Sequence, residues 1–216
     1  MARFATLRHL KNCSRSIRVD AIASRARSRR SRTRQMGDSY QSIVDLDATA
    51  DNAAELAARA FDFLLEREII FPEATCECVL GGVGYRPARK ATEIQVDHGA
   101  AIFGLRTNGV EVVKQRTVFY SPGSHLICPS CGKDFGTHSL AALGDAIDQW
   151  YANEAKPEAC CPSCNSMGNL NGWFDPPWAF GNLGLKFWNW WPLKSEFIET
   201  IASLWTHRVV VVAGKI

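Results

Sequence analysis

CPSCGKDF, residues 128–135, and CCPSC, residues 160–164, carry the same tetrapeptide twice. Two residues between cysteines let one tight turn present both sulfurs to a single ion. Proline after the first cysteine helps set that turn. Gly132 after the first copy and Asn165 after the second both tolerate the left-handed backbone that reverses the chain. Two such turns supply the four thiolates of a tetrahedral site. Cys128, Cys131, Cys161 and Cys164 are therefore the expected metal ligands, and structural Zn2+ is the expected ion. Four thiolates leave no open coordination position, so the ion should fold the loops and not catalyse. Cys160 in place of Cys161 would spoil the two-residue spacing. His125 and His138 flank the first copy and are read as neighbours or exposed residues, not ligands.

Two other readings compete with the metal. Four cysteines can be small core residues, but two identical tetrapeptides in loops argue against it. A Cys-Pro-x-Cys unit also resembles the glutaredoxin active site, whose chemistry needs the first cysteine at a helix N-terminus. Here GKDFG and NSMGNLNG follow the two copies, and neither begins a good helix. The pair of turns resembles the two knuckles of a zinc ribbon, over about residues 125–168. It departs from that pattern in its spacer. Twenty-nine residues separate Cys131 from Cys161, and they hold a predicted helix over 139–153, with Ser139 as N-cap.

Around this module the periodicities predict an α+β fold, with a mainly antiparallel sheet and three or so helices. Leu56, Ala60, Phe63 and Leu64 recur at helical spacing over 51–68, with Glu55 and Arg59 as an i,i+4 pair on the other face. Pro72 should close that segment. Strands are expected at 74–80 and 92–96. Asn108-Gly109 predicts a hairpin turn between arms 100–106 and 110–120. A helix over 194–206 carries Phe197, Ile201 and Trp205, and the run Val209–Ala213 suggests a buried strand.

The net charge of +3 conceals an asymmetry. Residues 1–35 hold eleven Arg and Lys against the single acid Asp20, about +10, while residues 36–216 come to about −7. The leader is Arg- and Ser-rich and too poor in apolar residues to build a core. It reads as a start extended upstream of Met36, as an organelle transit peptide, or as a basic arm for nucleic acid. Residues 36–216 read as one domain with the metal module inside it. No secretory signal and no run of about 20 apolar residues is present. Free-standing Cys-x-x-Cys units without a secretory signal point to a reducing, cytoplasmic setting.

Residues 173–191 hold eight aromatic side chains, broken by Pro and Gly. Some must pack on the core. Trp178, Trp188, Trp190 and Trp191 are the candidates for a partner-binding surface, since Trp is favoured at binding hot spots. Several enzyme classes are excluded by motif. There is no HExxH, no phosphate-binding GxxxxGK[ST] loop, and no H-x-E with P-C-x-x-C. The glycine-rich GGVGYRPARK, residues 81–90, reads as an inter-strand loop in preference to an anion site.

The order CPSCG, CCPSC, GWFDPPWAFGNLGLKFWNW and a terminal HRVVVV resembles a family of uncharacterised bacterial proteins, some labelled sugar ABC transporter ATPase. The nucleotide-binding loop that this label requires is missing here. Three functions follow as expectations. The first is a non-enzymatic, zinc-stabilised domain that binds another protein. The second is an enzyme built from scattered polar residues such as Arg86, Asp97 and His98. The third is a zinc-ribbon nucleic-acid binder that depends on the basic leader, against which the acidic body counts.

Overall fold

Twelve strands and three helices follow one another in this computed structural model, which describes residues 37–96, 105–137, 143–152 and 158–216. In chain order they are β1 Ser39–Asp45, α1 Ala53–Glu66, β2 Ile70–Thr75, β3 Gly84–Pro87, β4 Gly109–Val113, β5 Thr117–Phe119, β6 His125–Leu126, α2 Gly144–Tyr151, β7 Glu158–Cys160, β8 Met167–Asn169, β9 Phe174–Asp175, β10 Ala179–Gly181, β11 Leu183–Trp188, α3 Ser195–Trp205 and β12 Val209–Lys215. Six strands form one antiparallel sheet in the order β12-β1-β11-β4-β3-β2. The other six form three two-stranded ribbons, β5–β10, β6–β9 and β7–β8. The fold is thus α+β, and its sheets are antiparallel.

One face of the large sheet carries the main core. Ile43, Val110, Leu183, Leu185 and Phe187 pack there against Leu56, Ala57, Ala60 and Leu64 of α1 and Phe197, Ile201 and Trp205 of α3. These helical residues recur every three or four positions, so one stripe of each helix is apolar. The buried Trp205 indole donates to the Leu56 carbonyl at 3.1 Å and ties the two helices together. Glu55 and Arg59 pair on the exposed side of α1.

A second core lies in the segment between β4 and β11. It gathers Leu126, Leu143, Trp150, Leu170, Trp173, Phe174 and Phe180 around Cys128 and Cys161. The other face of the sheet meets this segment through Phe119 and Ala179, which pack with Val44 and Val212. Residues Gly37–Ile216 form a single compact unit.

Several local expectations are corrected. Pro72 does not close a helix but lies inside β2, the edge strand, where the register shifts between Ile70 and Ala74. An edge strand at a bulge can accommodate the missing N–H. Residues 76–82 are bends and not a strand, and Ala91–Ile94 is a short 3-10 turn. Asn108-Gly109 does not make a hairpin turn. The predicted second arm breaks into β4 and β5, which belong to different sheets. The first arm lies mostly outside the described residues, and 105–107 is not strand. Finally β12 is an edge strand with only Val212 fully buried, not an interior one.

Candidate metal centre

Each cysteine pair sits at the tip of a hairpin. In the first, Phe135 N–H donates to Leu126 O at 2.8 Å and Leu126 N–H to Gly136 O at 3.0 Å across the turn, and Cys128 N–H donates to Lys133 O at 3.0 Å. In the second, β7 pairs with β8, and Cys161 N–H donates to Ser166 O at 2.9 Å. The two turns match bond for bond. Gly132 N–H returns to Cys128 O at 2.9 Å, and Asn165 N–H returns to Cys161 O at 2.8 Å. Gly132 at φ 69° and Asn165 at φ 61° occupy the left-handed region that both residue types tolerate. Backbone N–H groups point at the sulfurs. Ser130 donates to Cys128 Sγ at 3.4 Å, and Ser163 donates to Cys161 Sγ at the same distance.

The four sulfurs lie within 4.8 Å of one another. Cys128 Sγ is 3.8 Å from Cys164 Sγ, and Cys131 Sγ is 4.0 Å from Cys161 Sγ. A disulfide would bring a pair to about 2.05 Å, so these are free thiols. An edge of a regular tetrahedron is about 1.63 times the centre-to-corner distance, so edges of 3.8–4.0 Å correspond to a centre about 2.3–2.5 Å from the sulfurs, near a zinc–thiolate bond of about 2.3 Å. The four cysteines therefore stand close enough to hold a metal ion.

Electrostatics point the same way. Cys164 is drawn down to about 6 by hydrogen bonds from the Ser166 side chain and backbone, against the effect of burial. Cys131 is pushed up to about 11: a Lys133 N–H favours its thiolate, but burial and the neighbouring sulfurs outweigh it. Burial and the neighbouring sulfurs likewise raise Cys161. Some thiols ionise readily and their neighbours then resist. A divalent cation eases that conflict by offsetting half of the negative charge of four thiolates.

The elements around the cluster explain its neighbours in sequence. Ile127 N–H donates to Trp173 O at 2.7 Å and extends the β6–β9 pairing toward the first turn. Gly168 fits where the two hairpins meet, since a Cβ there would stand 3.1 Å from both Pro129 Cγ and Trp173 Nε1 and crowd them. The proline that shapes the first turn thus packs against the hairpin of the second. Arg116 lies 4.0 Å over the Trp150 ring and donates to the Trp150 carbonyl, which fixes the end of α2. Neither glycine spacing nor a lone arginine marks these roles in the sequence.

Cys160 points away from the cluster, its Sγ 3.9 Å from the Cys161 carbonyl. His125 is exposed and pairs with Asp134 at 2.9 Å. His138 and Ser139 lie outside the described residues, as do Asp97 and His98. Arg86 faces Glu77 at 3.6 Å, and Arg89 and Lys90 both face Glu68, so each basic residue of the 81–90 stretch has a carboxylate beside it.

The four tryptophans read as a partner surface divide. Trp188 and Trp190 are 3% and 5% exposed, covered by this chain's own side chains. Trp178 is partly buried, stacks on Phe174 at 4.4 Å and donates to Ser121 O and Ser124 Oγ. Trp191 alone of the four is well exposed, at 42%. Burial of the others follows from β11 and the second core running through the aromatic stretch. Among the described residues no helix is long and apolar enough to cross a membrane. No family model, curated protein or solved structure significantly matches this chain.

Proposed function

We propose that the four cysteines hold one structural Zn2+ and that residues 37–216 act as a non-enzymatic domain that binds another protein. The sulfur tetrahedron carries the metal reading, with its 3.8 Å and 4.0 Å edges. Four thiolates around a zinc ion leave it no position for water or substrate, so its work is to hold two hairpins together.

The binding reading rests on Trp191. Trp191 and Val96, 64% exposed, lie on two segments bridged at Gln95 and Leu193. Trp191 N–H donates to Gln95 Oε1 at 2.8 Å, Gln41 Nε2 donates to Trp191 O at 2.7 Å, and Val96 N–H donates to Pro192 O at 2.8 Å. A buried polar network is thus devoted to presenting an exposed apolar corner. An indole on an anchored backbone loses less entropy on binding than one on a free segment.

Metal analysis of freshly purified full chain tests the first half. One zinc per chain is expected, and absence of metal with freely titrating thiols would end it. For the second half, a partner recovered with the full chain should be lost on Trp191→Ala while the melting temperature holds. An unchanged partner set refutes the role of this corner.

A further inference from the structure

At one margin the main core leaves a groove open between α1 and the β3–β4 side of the sheet, enclosing about 320 Å3. Its helical wall is Ala54, Ala57, Ala58 and Phe61, three and four residues apart and so on one face of α1. Its sheet wall is Val83, Tyr85, Val112 and Lys114. Val112 and Lys114 are two residues apart and share this side, while Glu111 and Val113 line a cavity on the other. The groove is open to solvent: Ala54 and Ala58 are exposed, and Val83 is 41% exposed.

The two ends of the groove differ. The rings of Phe61 and Tyr85 meet at 4.6 Å between centroids and close one end. Tyr85 stands opposite Val110 in the β3–β4 pairing. Lys114 is four residues on from Val110, about 13 Å away along an extended chain. Ala54 and Phe61 are seven residues apart, about 10 Å along a helix axis. Both walls therefore give one length, and Lys114 marks the end away from the rings. Lys114 is the one charged residue lining the groove. Its side chain is exposed, and among the described residues it has no carboxylate in ion-pair contact. Glu55, beside Ala54 in sequence, is engaged by Arg59. Ala54 is the second residue of α1, so the positive end of the helix dipole lies near this end too.

An apolar groove with one unpaired cation at its end fits an amphipathic monoanion. An extended alkyl chain advances about 1.25 Å per carbon, so about eight carbons span the groove. Small-ligand pockets start near about 300 Å3, so this volume suits one such chain and not a bulkier lipid. We propose that the groove binds a free medium-chain fatty acid, its carboxylate at Lys114 Nζ and its alkyl chain along Ala58, Val83 and Val112. The methyl end then rests against Phe61 and Tyr85.

The test is calorimetric titration of the full, metal-loaded chain with sodium octanoate, sodium butanoate and octylammonium chloride at equal ionic strength. Saturable binding of octanoate is expected, with butanoate about tenfold weaker or more, because four methylenes of contact are lost. Octylammonium should bind more weakly than octanoate. Lys114→Glu should reverse that preference, and Lys114→Arg should keep it. Ala58→Phe should fill the groove and abolish octanoate binding while the melting temperature holds. Lys194→Met, on a separate cavity, should change nothing. Failure of octanoate to saturate, or equal binding of octanoate and butanoate, would overturn the proposal. So would an unaltered preference in a folded Lys114→Glu chain, or an unaltered octanoate affinity in a folded Ala58→Phe chain.

Discussion

Replacing Cys161 with alanine removes one corner of the sulfur tetrahedron, and the two cores should respond differently. Cys161 is fully buried within the second core, alongside Trp150 and Trp173. The first core has no fully buried member between Val110 and Leu183, so it does not depend on the cluster for packing. Loss of one buried sulfur by packing alone costs about 1–2 kcal/mol. A structural zinc site contributes on the order of 10 kcal/mol to its module, so loss of the ion dominates. Of seven tryptophans, Trp150 and Trp173 lie in the second core and Trp178 stacks on its edge. Trp188, Trp190 and Trp205 are buried elsewhere, and Trp191 is already exposed. About three sevenths of the indole emission should therefore shift red on the substitution. Amide exchange should accelerate across β7, β8 and residues 161–174, while α1, β1 and β11 keep their protection. In the unaltered protein, X-ray absorption should show four sulfurs at about 2.3–2.4 Å and no nitrogen or oxygen ligand. A Cys161→Ala chain that keeps its metal and its emission would refute the ligand set. A chain that loses both cores in one transition would refute their independence.

Three further perturbations probe the sheet. Gly184→Ala places a Cβ 2.6 Å from the Phe119 ring, where β5 packs on the sheet. It should destabilise by about 1–3 kcal/mol, read as a lower urea midpoint. Asp45→Ala removes a fully buried carboxylate that accepts from Asp47 N and Ala48 N, both at 2.9 Å, and from His207 Nδ1. Orphaning those donors should cost about 3–5 kcal/mol in equilibrium unfolding. Hydrogen bonds from Arg208 hold the Asp47 carboxyl below its ordinary 3.8, although partial burial opposes them. The folded value is the lower one, so this stabilisation is complete above 3.8 and lost as pH falls through the folded value. Arg208→Ala should flatten that acid-side loss, by less than about 1 kcal/mol because the pair is largely exposed. An unfolding curve as steep in acid as the wild type would contradict it.

What could be read from the sequence divides along local and non-local lines. The metal turns are local: four residues, a proline and a left-handed exit define each one, and Gly132 and Asn165 take the φ they were expected to take. Helices α1 and α3 are local too, because one apolar stripe suffices. β1 escaped notice because it is buried on both faces and so shows no alternation. Its polar residues point inward, with Gln41 bonded to Trp190 O, Trp191 O and Leu193 N–H. Asn108-Gly109 looks like a turn, yet both residues answer to distant partners. Asn108 is buried and donates to Trp188 O and Asn189 O. Gly109 is glycine because a Cβ would stand 2.5 Å from Cys78 Sγ. A glycine required by packing and a glycine required by φ are identical in sequence.

The larger gap is topological. β4 and β11 are antiparallel neighbours in register from Gly184↔Val113 to Trp188↔Gly109. Residues 114–182 leave the sheet between them, build the second core and the sulfur cluster, and return. A tight turn would set the register of such a pair directly. Here the register is set by how the inserted segment closes on itself and by where it touches the sheet. Phe119 supplies one such contact: it packs onto Gly184, which lies on the same strand as Lys186. The β4–β11 pairing brings Glu111 and Lys186 opposite one another, and the cavity above that pair takes part of its walls from β5. The entropy of closing so long a loop grows only slowly with its length, so the insertion costs the β4–β11 pairing little more than a short loop would.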